Sequence, residues 1–243
     1  MSKYIENPKT KGSGIICCIP QTGECPNHCE DCFFQSGRSY LEPLNENLPN
    51  MPTVEEVGDK IVRVNDGNDS YVKQELVIRE TSKYSRKFYN TSFPFHLSKY
   101  DAPVVLTVNP GSLTDKSFHK VSSLKLMFVR ARVNMWNLDL IDEIVNYYSN
   151  EEIPIVLTFM AYFKKSIPSE YEKYYIFRKR TLNSYWAITT KAWESVMDRY
   201  KYNKYVYSCG KIEGEKGTTL CRFCGNCLRE YFATMTRLEG LVA

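Results

Sequence analysis

Gly14-Ile-Ile-Cys-Cys-Ile19, followed by Cys25-Pro-Asn-His-Cys29-Glu-Asp-Cys32-Phe-Phe34, is the stretch from which the rest of this chain is read. The first part is a short apolar run, the pattern of a buried strand. The second lies in the loop leaving it, Pro20 to Gly37, and spaces three cysteines as C-x3-C-x2-C. A [4Fe–4S] centre ordinarily takes four cysteine thiolates. Three at this spacing would leave one iron without a protein ligand. Cys17 and Cys18, in the apolar run, read as small core hydrophobes, because cysteine is among the most buried residue types.

Further strands are expected at Ile61–Val64, Phe88–Ser92, Val104–Val108, Leu124–Val133 and Ile155–Phe159, making six with the first. Between them, Ser70 to Tyr84 has helical spacing with Ser70 as its cap. Asn137 caps a second helix through Tyr148, whose apolar face is Leu138, Ile141, Ile144, Val145 and Tyr148. Strands alternating with helices or long loops argue an α/β protein with a parallel sheet and right-handed crossovers, either open or closing toward a barrel. Ligands of such folds lie at the carboxyl ends of the strands. The polar residues there are therefore the site candidates: Asp66, Gly67, Asn68 and Asp69 after the second strand, with Asn90, Thr107, Asn109 and Thr158. On the fifth strand Phe128, Arg130 and Arg132 share one face by the two-residue period. Arginine grips carboxylates in a two-pronged manner, so Arg130 or Arg132 is a candidate to hold the carboxylate of a cofactor or an acidic substrate.

Cys25, Cys29 and Cys32 resemble the signature of the radical S-adenosylmethionine (SAM) superfamily. The position before the last cysteine, usually aromatic or apolar in that family, is Asp31, with the aromatics following as Phe33 and Phe34. The resemblance implies a partial (βα)6 TIM-like barrel and a [4Fe–4S] cluster held by the three cysteines. It implies SAM chelated to the open iron and split reductively to a 5′-deoxyadenosyl radical, which takes a hydrogen atom from a substrate. An electron donor such as a flavodoxin or ferredoxin is implied with it. Family members carry a Gly-Gly-Glu type motif for the SAM amino group at the end of the second strand. Here the glycine pair is absent, and only the position and acidic character of Asp66 to Asp69 carry over; a plain Asp-Gly turn is the competing reading. His28 could supply a further ligand, but three cysteines already match the signature.

After about residue 165 the texture changes, and residues 1–165 are expected as a core with 166–243 as a cysteine-rich C-terminal extension. Ser169-x-x-Glu172 is a capping-box pattern leading into an expected helix from Tyr171 to Arg180. Another helix is expected from about Thr190, and a last one from Leu228 to about Leu238. Cys209 and Cys221-Arg-Phe-Cys224-Gly-Asn-Cys227 supply four thiols, with Lys211 to Thr219 as the hairpin or loop between. Four thiolates complete a second [4Fe–4S] cluster or a tetrahedral zinc. Some radical SAM subfamilies carry auxiliary clusters near the C-terminus, which this region resembles in being cysteine-rich and C-terminal.

The gross numbers set bounds. A chain of 243 residues, 43% hydrophobic and 25% charged, has the composition of a soluble globular protein. No apolar run approaches the ~20 residues that span a bilayer. The polar Met1–Lys11 lacks the apolar core of a signal peptide, so the cytoplasm is expected and no membrane partner is. Nine cysteines in tight groups then read as metal ligands rather than disulfides. A net charge of +4 permits an anionic substrate without indicating nucleic acid. Two other readings compete: an activase that installs a glycyl radical on a partner protein, and a zinc-stabilised binding protein without catalysis.

Overall fold

The computed structural model describes residues 3–29, 32, 34, 39–108, 118, 120–162, 167–180, 184–209, 212–213, 218–219 and 221–240. In chain order it forms β1 (Ile15–Cys18), short helices α1 (Leu44–Asn47) and α2 (Val54–Val57), and β2 (Ile61–Val64). Helix α3 (Gln74–Thr81) follows, then β3 (Lys87–Thr91), β4 (Val104–Val108), β5 (Leu126–Val133), α4 (Leu138–Asn150) and β6 (Ile155–Phe159). Next come β7 (Tyr175–Arg178), β8 (Tyr185–Ile188), α5 (Thr190–Arg199) and β9 (Val206–Ser208). The chain ends in β10 (Ile212–Glu213), β11 (Thr218–Thr219), α6 (Cys221–Cys224) and α7 (Asn226–Glu239).

All six expected strands form within two residues of their expected ends, and they pair in parallel in chain order from β1 to β6. A seventh, β9, was not expected; it adds in parallel to β6. With only three residues, it is too short to show a period. The sheet curls into a half-barrel: side chains from β1 through β6 bound a single cavity on its inner side.

The curl sorts side chains into layers by the two-residue period of a strand. On the inner face the lowest layer is apolar: Ile15, Ile61, Phe88, Val105, Phe128 and Val156, one from each strand. Helix α7 covers it with Tyr231, Leu228 and Met235, and Arg237 donates to Leu126 O at 3.0 Å. Two residues further along the same strands the face turns polar, with Arg63, Asn90, Thr107, Arg130 and Thr158. On the outer side α4 buries Leu140, Ile141, Ile144, Val145 and Tyr148 against β5 and β6. Each such side chain contributes about 1.5–3 kcal/mol.

Three local expectations are corrected. The capping-box pattern at Ser169 opens only a 3-10 turn, Ser169–Tyr174, and Tyr175–Arg178 is a strand paired antiparallel with β8. Tyr175, Ile176 and Phe177 are strand-favouring residues, and the Phe177 and Trp186 rings meet across the hairpin at 5.2 Å. The helix expected from Ser70 begins only at Gln74, because Lys73 takes the left-handed conformation (φ 56°) and Asn65 Nδ2 donates to Ser70 Oγ. Asn137 does stand at the start of α4, but its side chain turns back: Nδ2 donates to Arg132 O, and Oδ1 accepts from Asn134 N. It therefore fixes the end of β5 rather than the helix.

Candidate functional site

The polar layer is the wall of a cavity of about 410 Å³. Both cysteine groups open into it: Cys25, Cys29 and Cys32 from the loop after β1, and Cys209, Cys221, Cys224 and Cys227 from the C-terminal end. Cys17 and Cys18 do not line it and are fully buried in β1, as a core reading expects.

The first group is held by the loop it follows. Gln21 Nε2 donates to Asp69 O and Val72 O, both at 2.9 Å, which ties the start of the cysteine loop to the loop after β2. On the far side Phe34 is 1% exposed and rests on Gly67. Cys32 N donates to Cys29 O at 3.2 Å, closing the turn between two of the thiols. Burial pushes the Cys25 thiol up to about 11; the neighbouring charges of Asp69, Cys29 and Cys32 act in the same direction. Burial also raises Cys29, and Arg132 partly offsets it. These thiols resist ionising until a cation joins them, as expected where metal binding and deprotonation are coupled.

Asp66, Gly67, Asn68, Asp69, Arg130 and Arg132 all line the cavity; Asn109 lies outside the described residues. Asp69 is engaged by its own neighbourhood. Its carboxylate accepts from Thr91 Oγ1, Ser92 N and Ser92 Oγ at 2.7 Å and from Tyr71 N at 2.9 Å. Asn68 Oδ1 accepts from Asp69 N. Asp66 accepts from Asn7 Nδ2 and Tyr40 Oη. The acidic loop is thus a braced rim, with β3, the N-terminal segment and the chain beyond the cysteine triplet all bonded to it.

The second group is placed by β9 and α7. Cys209 N donates to Leu157 O at 2.8 Å, which sets the thiol beside the last residues of β6. β10 and β11 pair antiparallel, the expected hairpin between Cys209 and Cys221. Gly225, in the left-handed region (φ 69°), turns the chain from α6 into α7, and Asn226 Nδ2 donates to Ser208 O at 2.8 Å. Burial raises the Cys227 thiol to about 11, against the pull of Arg63 and Arg130.

No family model, no curated protein and no solved structure matches this chain. The site must be read from its own chemistry. Among the described residues no three His, Cys, Asp or Glu side chains gather closely enough to hold a single metal ion. What the cavity offers is seven thiols in two sets, with three buried polar atoms that have no hydrogen-bond partner among the described residues: Arg63 Nε, Asn65 Oδ1 and Thr158 Oγ1. Such atoms cost stability unless something in the cavity meets them. By donor type, though not by how closely the side chains gather, the seven thiols are the ligands of thiolate-held metal, since soft thiolates select iron–sulfur clusters and zinc. Arg63 was missed from the sequence. Ile61-Val-Arg-Val64 is expected as a strand, but the site residues expected there lie after its end; the curl of the sheet puts Arg63, within it, on the cavity wall.

Proposed function

We propose that this chain is a radical SAM enzyme, a (βα)6 partial barrel with a cysteine-rich C-terminal extension, that acts on a substrate held between two metal centres. One observation carries the reading: cysteines almost 200 residues apart in the chain line the same cavity, at the end of the sheet where α/β folds bind ligands. In this reading Cys25, Cys29 and Cys32 hold a [4Fe–4S] cluster, and Cys209, Cys221, Cys224 and Cys227 hold a second one or zinc. When bound and reduced, the first cluster supplies the electron that splits SAM, giving the 5′-deoxyadenosyl radical that abstracts a substrate hydrogen.

The chain's own residues have separate tasks. The loop Asp66–Asp69 borders the triplet, and the negative charge of its braced carboxylates, more than any open acceptor, would favour the SAM ammonium group there. Arg132, whose charge acts on Cys29, faces the SAM carboxylate. The apolar layer under α7 and the walls of the half-barrel keep water from the reacting centre.

Anaerobic reconstitution tests this. Iron and sulfide are measured per chain, then 5′-deoxyadenosine formed from SAM with dithionite. About eight irons and SAM cleavage are expected for two cubane clusters. About four irons with zinc would change the second centre only. Zinc without sulfide and without cleavage would overturn the proposal. Cys29→Ala should abolish cleavage, and Cys224→Ala should leave the first cluster in place.

A further inference from the structure

Beside the C-terminal cysteine group the cavity wall carries a pair of like charges. Arg63 reaches the cavity from β2 and Arg130 from β5, and both lie toward Cys221 and Cys227. They are close enough that, after burial itself, the charge of Arg63 is what most disfavours the charge on Arg130. Protein partners for them are few. Arg130 Nη1 donates to Asn90 Oδ1 at 3.2 Å, and Asn90 is itself held by a bond from Nδ2 to Val64 O. Arg63 Nε is buried and has no hydrogen-bond partner among the described residues. The Asp66 carboxylate, whose charge favours that of Arg63, also accepts from Asn7 and Tyr40.

Two half-buried guanidiniums lining one cavity lose part of their hydration, and Arg63 disfavours the charge on Arg130, costs that an anion joining them would offset. The guanidinium fork matches the paired oxygens of a carboxylate or phosphate. We propose that Arg63 and Arg130 grip an oxyanion of the substrate, a carboxylate or a phosphate, in the cavity that both cysteine groups line. This rests on the reading of the cavity as a substrate chamber. It assigns the substrate class that reading leaves open.

The test titrates inorganic phosphate and, separately, succinate into the reconstituted, unreduced protein by calorimetry, with and without saturating SAM. One of the two anions should bind at millimolar concentration or below, and which one does so identifies the oxyanion. Arg63→Gln and Arg130→Gln should each weaken it at least tenfold, and Arg180→Gln, on an exposed residue, should not. Asn90→Asp keeps both arginines but sets a carboxylate against Arg130, and should likewise abolish binding. Absence of binding, or variants that bind like the wild type, would overturn the proposal. Where the protein does take up metal, binding seen only in its metal-free form would also overturn it, by making the arginines counter-ions of the thiolates. Displacement by SAM would also overturn it, by giving the pair to the SAM carboxylate. Iron is measured in the same samples: protein that takes up none fails the radical SAM reading, while the anion titration still decides the arginine pair.

Discussion

The ring of Phe34 lies against Gly67 so closely that a β-carbon there would stand 2.2 Å from Phe34 Cδ2 and 2.6 Å from Cε2. This contact locks the end of the cysteine loop onto the turn after β2, and it explains a glycine that does not need a left-handed backbone. The sequence suggests Gly67 as part of a cofactor motif; its first duty is to leave room for a ring.

Gly67→Ala must therefore push Phe34 from a fully buried place, at a cost of about 1–3 kcal/mol for an overpacked site. The larger effect should fall on metal uptake, because Cys32 is two residues before the displaced ring. Iron per chain after reconstitution should drop by about the share of one cluster, with the urea midpoint lowered in parallel. Full iron uptake in the variant would show that the loop finds its place without this contact.

Helix α7 ties the floor of the half-barrel to the second cysteine group. Cys227 and Tyr231 are one helical turn apart and so share a face. Tyr231 packs in the apolar layer, with its ring 6.5 Å from that of Phe88. Tyr231→Ala should cost about 3–5 kcal/mol, as large-to-small core changes do. It should also lower occupancy of the C-terminal metal site more than that of the first. Separate metal counts in Tyr231→Ala and in Cys224→Ala would distinguish loss of packing from loss of a ligand.

The fold was more legible than the site. Six strands announce themselves because parallel strands buried on both faces leave continuous apolar runs such as Val104–Val108 and Ile155–Phe159. Cysteine spacing likewise marks both groups without any structure. The missing pieces depend on long-range geometry. Tyr175–Arg178 follows a helix-start signal and becomes a strand because its partner, Tyr185–Ile188, is supplied from further along the chain. Arg63 shows no local sign of its role, since whether a strand residue faces in or out of a half-barrel is set by the neighbouring strands. The bracing of Asp69 by Thr91 and Ser92 joins residues 22 and 23 positions away, and no local pattern in the sequence encodes that pairing.

The nine cysteines should fall into two chemical classes. Cys17 and Cys18 are fully buried, and burial is the main reason both thiols are held well above their ordinary range. Alkylation of the native metal-free protein near pH 8 should modify members of the other seven and spare these two, because the thiolate is the reactive form. Reconstitution should then protect the seven. Cys17→Ala and Cys18→Ala should retain full metal content and lose about 1 kcal/mol of stability each, the scale of one small buried group. A fall in iron in either would move that residue into the ligand set.

Acid should weaken the outer side of β3 through one pair. Lys87 is only 7% exposed at its side chain and meets Asp101 at 3.0 Å; Tyr89 Oη donates to the same carboxylate at 2.7 Å. Burial pushes the Asp101 carboxyl up, but the hydrogen bonds from Tyr89 and Lys87 and the Lys87 charge together hold it below its ordinary value. A folded-state value below the unfolded one gives stability that is complete above the unfolded carboxylate range, about pH 4, and is lost as pH falls through the lowered folded value. Asp101→Asn leaves the buried ammonium without its counter-ion and should cost about 1–3 kcal/mol near neutrality. The gap between wild type and variant should then close as pH falls below about 4, where the wild-type carboxylate is itself protonated. Urea midpoints measured between about pH 7 and pH 3 check this. A gap that stays constant across that range would show that Asp101 acts through packing or through the Tyr89 hydroxyl, with no share from its charge.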